Sequence, residues 1–125
     1  MFFGDHQPNT TVANPILRMN GINPVDMTEE ENAQRYKVPY FIWANFDIEE
    51  ESYKNISANY LAELMVDKTG IKKTPYQGFL KDLQKEYPVI SAAGVWDALG
   101  NSVDNPQSIE EINKYNIIQY YKMGL

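Results

Sequence analysis

The chain has 125 residues, a formal net charge of −6 and no cysteine. A chain of this length forms one small domain or part of one. The excess of acidic residues leaves no basic patch to neutralise phosphates, which excludes nucleic acid as a partner. The lack of cysteine excludes disulfide scaffolds, thiol nucleophiles and zinc fingers. Aromatic residues make up 13% of the chain, and this content indicates packed structure instead of a disordered tail.

The first predicted element is an aromatic stub, Met1–Phe3, which has the composition of the end of a buried strand. Gly4 breaks it, and a polar turn follows. Residues 13–36 are predicted to be loop with one helical turn, because Pro15 and several glycine and asparagine residues punctuate the segment. The apolar run Val38–Ala44 is then predicted to form a buried strand.

Three helices are predicted in the second half of the chain. The first has Ser57 as its N-cap and Gly70 as its stop signal. The second begins with a capping box at Thr74, followed by proline at the first helical position. The third begins with a capping box at Ser108 and runs to near Met123.

Two short segments separate the last two helices. Val89–Ile90 is predicted as a short strand, and Val95–Asp97 as part of a turn-rich link. The order strand, loop, strand, helix, helix, strand, helix predicts the α/β class. Two or three strands form too small a sheet to cover these helices. We therefore expect residues 1–125 to be part of a larger, truncated domain.

The only histidine of the chain, His6, follows Asp5 at the end of the first predicted strand. Strand ends that lead into loops are where α/β proteins place active sites. A carboxylate and an imidazole together suit a divalent ion such as manganese, zinc or magnesium. The alternative is an ordinary solvated pair, because a stable metal site needs about four ligands.

Other candidate residues receive structural interpretations. The acidic runs Glu29–Glu31 and Glu49–Glu51 are interpreted as solvated loop charge rather than cation sites. Trp43 and Trp96 are expected to pack in the core or at its rim, with stacking on a sugar in a glycan-binding module as the alternative. Three hydroxyl side chains are expected to cap helices rather than act as nucleophiles: Ser57, Thr74 and Ser108.

Five motifs in order resemble the sulfatase-type domains of the alkaline phosphatase superfamily. The similarity is strongest to the branch of lipoteichoic acid synthases and phosphoglycerol transferases, and it extends over nearly the whole chain. The motifs are Phe2–Pro8, Val38–Asn45, Ile56–Leu61, Tyr87–Ile90 and Tyr115–Tyr120.

The resemblance implies the carboxy-terminal portion of an alkaline-phosphatase-like α/β/α sandwich, with few strands and about three helices. It implies that Asp5 and His6 are ligands of a catalytic divalent metal, manganese in the first place and magnesium or zinc as alternatives. Gly4 is expected to let the chain bend so that the two side chains converge. The remaining ligands and the nucleophile, a threonine, serine or modified cysteine, are expected upstream of this chain.

The resemblance also implies an activity and a location for the parent protein. It would hydrolyse or transfer phosphate or sulfate esters in cell-envelope polymer synthesis, from a membrane-anchored domain outside the cytoplasm. The chain alone is expected to be soluble, without a signal peptide or membrane span, inactive, and without a tightly bound metal. Its expected partners are the missing amino-terminal part and a second copy bound through the exposed sheet edge. The alternative is a stand-alone binding or structural module that does no chemistry.

Overall fold

The structure, a computed structural model, describes residues 1–124. Within these residues the chain is mixed helix and strand, with five α-helices and two two-stranded sheets. It divides into two compact units, of which the first is Met1–Phe46 and the second begins at Asp47. No helix in the described part of the chain combines the length and the apolar character that a bilayer span requires.

The first unit contains a small antiparallel sheet in which Phe2 lies opposite Phe41 and Phe3 opposite Tyr40. The rings of Phe2 and Phe41 stack with their centroids 4.9 Å apart. No residue of this unit is buried. The strand predicted over Val38–Ala44 forms only over Tyr40–Phe41, so it is shorter than predicted. Its predicted burial is also wrong. The elements of this unit are β1 (Phe2–Phe3), α1 (Thr10–Met19), α2 (Glu29–Gln34) and β2 (Tyr40–Phe41).

Helix α1 corrects the prediction that residues 13–36 are loop with a single helical turn. The side chain of Asn9 accepts hydrogen bonds from two backbone N–H groups of the first turn, at 3.1 and 3.3 Å. Val12 and Ile16 follow at helical spacing, which gives the helix an apolar stripe. Pro15 lies inside the helix and cannot donate a hydrogen bond there. The capped start allows the helix to form despite that loss.

The second unit confirms the three predicted helices. Gly70 adopts φ +67° after the first of them, a conformation that favours glycine. Thr74 forms the predicted capping box with Gln77 at the start of the next. The elements are a 3₁₀ turn (Ala58–Tyr60), α3 (Leu61–Thr69), α4 (Pro75–Glu86), β3 (Val89–Ser91), β4 (Gly94–Trp96), a second 3₁₀ turn (Pro106–Ser108) and α5 (Glu110–Met123).

The core of the second unit lies between its helices and its hairpin. Tyr60 is completely buried there, and its hydroxyl donates a hydrogen bond of 2.9 Å to the backbone carbonyl of Tyr87. Partly buried apolar side chains from α4, α5, strand β3 and the connecting segments pack around this centre. The buried core residues are Tyr60, Leu80, Leu83, Val95 and Ile112.

Two predicted helix caps are wrong. The side chain of Ser57 makes no capping bond, and its Oγ instead accepts a hydrogen bond of 2.7 Å from the backbone N–H of Ile90. Ser57 therefore connects the start of α3 to strand β3. The hydroxyl of Ser108 donates to the carbonyl of Asn105 at 2.8 Å, and α5 begins without a side-chain cap.

Only one of the two strands of the hairpin in the second unit was predicted. Val89–Ile90 lies in strand β3, as expected, but the segment around Val95 is strand β4 instead of a turn-rich link. The two strands pair antiparallel, with Ile90 opposite Val95. Gly94 comes just before Val95 with φ +140°. A Cβ at that position would lie 3.0 Å from the ring of Trp96, so the hairpin requires glycine there.

Candidate metal centre

The turn that carries the predicted metal ligands is attached to the segment after helix α2. The backbone N–H of Gly4 donates to the carbonyl of Pro39 at 3.0 Å, which extends the pairing of β1 with β2 by one residue. Beyond the turn, the side-chain amide of Gln7 donates to the carbonyl of Lys37. These two bonds flank Asp5–His6 and hold the turn beside the end of α2.

Gly4 has a different role from the one predicted. Its φ is not positive, so the chain does not use the conformational freedom of glycine to bend there. A Cβ at this position would instead lie 3.0 Å from the Cβ of Val38. Gly4 therefore permits a close approach between two chain segments.

Replacing Gly4 with alanine is expected to weaken the contact between these segments by about 1–2 kcal/mol, because the new methyl overpacks against Val38. The measurement is hydrogen exchange of the residue 4 amide, which should become roughly five to thirty times faster. Gly78→Ala is the matched control, because no heavy atom lies within 4 Å of a Cβ built there. Unchanged exchange at residue 4 in the Gly4→Ala variant would contradict the close-approach role.

The imidazole of His6 is oriented by the backbone. Its Nδ1 lies 2.8 Å from the carbonyl oxygen of Gln7. A carbonyl oxygen can only accept, so Nδ1 carries the proton and donates. In the neutral ring Nε2 then presents a lone pair, as histidine ligands of metals do when a carbonyl holds the other nitrogen.

The lone-pair nitrogen of His6 and a carboxylate oxygen of Asp5 converge. Nε2 lies 3.5 Å from Oδ2, and both side chains are largely exposed, 77% for His6 and 81% for Asp5. Two ligands that each lie about 2.1 Å from a tetrahedral ion are separated by roughly 3.4 Å. The two atoms thus have the chemical types and the spacing of a pair of ligands on one divalent ion.

The pair alone would supply only two of the ligands that such an ion needs. Within residues 1–124, no group of three histidine, cysteine or carboxylate side chains is placed to hold a metal ion. Of the acidic runs, Glu31 accepts the backbone N–H of Thr28 at 2.8 Å, and Glu51 pairs with Lys68 at 2.9 Å. A metal at Asp5 and His6 therefore requires ligands from another source.

The turn and helix α2 enclose an open cleft of about 420 Å³. Thr28 and Glu31 form a capping box that begins α2. Helix α2 contributes Asn32 to the cleft, its C-cap contributes Arg35, and the turn that follows contributes Tyr36. The principal polar lining residues are Asp5, His6, Gln7, Asn32, Arg35 and Tyr36.

Sequence reasoning missed Arg35. This half-buried residue lines the cleft at the end of α2. In the described part of the chain, no carboxylate oxygen lies within 4.0 Å of its guanidinium. The helical spacing of Asn32, Arg35 and Tyr36 after the capped acidic turn is the signal that would have indicated a common face.

The predicted packing in the core or at its rim is wrong for Trp43 and agrees with the position of Trp96. Trp43 is 71% exposed, so its predicted place in the core or at the rim is wrong. Trp96 is half-buried in β4, where its ring covers Gly94. The two residues belong to different units of the chain.

Comparison of the chain with known protein families, with curated proteins and with solved structures gives no match. The resemblance to a known family therefore stays a prediction from the sequence motifs alone.

Proposed function

We propose that the chain is the carboxy-terminal part of a metal-dependent sulfatase or phosphoglycerol transferase with an alkaline-phosphatase-like sandwich. The whole protein would hydrolyse or transfer phosphate or sulfate esters in cell-envelope polymer synthesis. By the same resemblance, its catalytic domain is anchored at the outer face of the membrane. The chain contributes Asp5 and His6 to the metal centre.

The observation that carries this proposal is the convergence of Nε2 of His6 with Oδ2 of Asp5 at 3.5 Å. Two electron-rich atoms at this separation repel each other unless a cation lies between them. The hydrogen bond from Nδ1 to the Gln7 carbonyl leaves Nε2 as the ligand atom. Manganese is the first candidate by resemblance, and magnesium or zinc follow from the donor types.

A divalent ion at this pair would act as a Lewis acid on an ester oxygen and would activate a hydroxyl nucleophile. The cleft has no serine, threonine or cysteine among its lining residues. The attacking group and the remaining ligands are therefore assigned to the upstream part of the domain, so the chain alone lacks the means to attack an ester.

The exposed aromatic side chains of the first unit support a partner. Phe2 is 63% exposed, Phe41 57% and Trp43 71%. The stacked rings of Phe2 and Phe41 form an exposed apolar patch, and patches of this kind can mark interaction sites. The upstream part of the domain is the proposed cover, with a second copy of the chain bound at the free sheet edge as the alternative.

A second candidate function is a binding or structural module that does no chemistry. The observation that favours it is the high exposure of both Asp5 and His6. A protonated imidazole beside a carboxylate would form an ordinary surface ion pair, with a proton in place of the metal.

Titration with Mn²⁺ distinguishes the two functions. We expect weak binding at Asp5 and His6, with a Kd of about 1 mM, because two ligands give little affinity after the turn is ordered. The measurement is paramagnetic broadening of backbone amide signals, which detects weak sites. Broadening should be centred on Gly4 to Gln7 and should disappear in the His6→Ala variant.

The acidic run Glu29–Glu31 provides the internal reference, because it carries three carboxylates and no imidazole. Broadening that is centred on this run, or that persists in His6→Ala, would favour the non-catalytic module. Calorimetry adds a further check. Micromolar binding that is lost in His6→Ala would show that the chain completes its own site, contrary to the proposal of a shared centre.

A further inference from the structure

The cleft beside Asp5 and His6 contains a cation that the metal centre does not use. Arg35 is the half-buried cation of the first unit, whereas Arg18 and Lys37 are exposed. Half-buried cations usually pair with carboxylates. Lys73 in the second unit does so, since its ammonium contacts both Glu63 and Asp67. Arg35 has no such carboxylate within 4.0 Å among residues 1–124.

The position of Arg35 follows from the geometry of helix α2. The capping box at Thr28 sets the start of the helix, and Arg35 is its C-cap with φ −69° and ψ −15°. Asn32 lies one turn earlier on the same face, and Tyr36 comes next. All three line the cleft whose opposite wall is formed by Asp5–His6. The helix dipole favours a cation at any helix C-terminus. That attraction alone does not explain why the side chain of Arg35 lines a cleft.

We propose that Arg35 binds the tetrahedral oxyanion of the ester, a phosphate or a sulfate group, beside the metal at Asp5 and His6. This inference rests on the proposed function and names the residue that recognises the substrate anion. The guanidinium presents a planar fork of N–H donors that matches two oxygens of such an anion. It keeps its charge at every pH of interest.

The polar neighbours of Arg35 fit the same ligand. The amide of Asn32 and the hydroxyl of Tyr36 are both able to donate hydrogen bonds to anionic oxygens. Without a bound cation, the carboxylate of Asp5 would repel an anion in the cleft. A divalent ion held by Asp5 and His6 would offset that repulsion, and Arg35 would add a second positive charge in the same cleft.

The test uses the whole chain labelled with ¹⁵N, with inorganic phosphate and inorganic sulfate as separate probes, each with and without saturating Mg²⁺. We expect phosphate to shift the signals of the Arg35 side-chain Nε and of the Asn32 and Tyr36 amides. Arg35→Gln should weaken this binding at least about tenfold, and Arg35→Lys should weaken it less, because the charge remains. Arg18→Gln is the matched control and should leave the affinity unchanged.

The outcomes separate this inference from the proposed function. Phosphate or sulfate binding that is equally strong in the wild type and in Arg35→Gln overturns the role of Arg35, and so does the absence of shifts at residues 32 to 36 with either probe. Both results leave metal binding at Asp5 and His6 intact. The opposite combination is also possible. Anion binding that depends on Arg35 supports the anion site, and Mn²⁺ binding that persists in His6→Ala counts against the metal centre. Comparison of the two probes shows which anion the site prefers.

Discussion

Replacing Tyr60 with alanine is expected to destabilise the second unit by about 3–5 kcal/mol, which is most of the stability of a domain of that size. Tyr60 is completely buried, and Leu80, Leu83 and Ile112 belong to the same core cluster. Truncation leaves a cavity that the surrounding helices cannot fill, and it removes the hydrogen bond to the carbonyl of Tyr87.

Unfolding of the second unit is measured with urea in a Trp43→Phe background, where Trp96 is the remaining tryptophan reporter. Tyr60→Phe keeps the ring and loses only the hydroxyl, so we expect a cost of about 1 kcal/mol. Tyr121→Ala is the surface control, because Tyr121 is 84% exposed, and it should change stability by less than about 0.5 kcal/mol. Equal effects of Tyr60→Ala and Tyr121→Ala would contradict the assigned core.

Tyr60 also makes the stability of the second unit depend on pH. Burial raises the pKa of the Tyr60 hydroxyl well above its usual value. The unfolded chain ionises first as the pH increases, so the contribution of Tyr60 is complete below about pH 10 and declines above it. Burial also raises the pKa of the Tyr115 hydroxyl. The alkaline loss of stability should therefore be smaller, but not absent, in Tyr60→Phe.

The second large effect is expected for Lys73→Met, which should cost about 2–4 kcal/mol. Glu63 has a side chain that is only 1% exposed, and its ion-pair partner is Lys73. The same ammonium contacts Asp67, which also pairs with Lys81 at 2.8 Å. Removing Lys73 leaves a buried carboxylate without its compensating charge, which is the costly way to break such a pair.

Two comparisons isolate this effect in urea unfolding curves. The double variant Glu63→Gln/Lys73→Met removes both charges and should recover at least half of the loss. Lys85→Met breaks the exposed pair with Asp82, whose side chains are 64% and 77% exposed, and should cost at most about 0.5 kcal/mol. A Lys73→Met variant as stable as Lys85→Met would show that the buried carboxylate does not need its partner.

The ion pairs around Lys73 stabilise the fold only within a limited pH range. Hydrogen bonds from Lys73 and Lys81 lower the pKa of Asp67, so its contribution is present above about pH 4 and is lost as the pH falls through the lowered pKa. Burial disfavours the charge of Lys73, but its hydrogen bonds to Asp67 and Glu63 outweigh burial and raise the pKa of the ammonium. The contribution of Lys73 is complete below about pH 10.5 and is lost above it.

Local patterns predicted the helices of the second unit, two of which have a start or stop signal that acts within a few residues. The capping box at Thr74 and the left-handed Gly70 are signals of this kind. Helix α1 was missed because Pro15 was interpreted as a loop signal, and the cap at Asn9 was not recognised. The role of Ser57 depends on Ile90, which is distant in sequence, so a pattern of neighbours could not reveal it.

The candidate site was predictable in part for the same reason. Asp5 and His6 are adjacent in the chain, and their residue types alone suggest a metal pair. Gly4 was identified, but its role depends on Val38, which approaches only in the folded chain. Arg35 reaches the cleft because β1 pairs with β2 and places the end of α2 beside the turn. That proximity depends on pairing between segments more than thirty residues apart.

The first unit contains no buried residue, yet it carries every residue that this chain contributes to the cleft. Segments with few buried contacts open at little free-energy cost, so the arrangement that binds a ligand is populated for only a fraction of the time. The apparent affinity of any ligand falls by that fraction. A partner that covers the aromatic face of β1 and β2 would increase the fraction and so strengthen metal binding at Asp5 and His6. If the proposed metal and partner both bind, thermodynamic reciprocity requires that the metal strengthen binding of the partner to the same degree, so that assembly and metal loading would be cooperative.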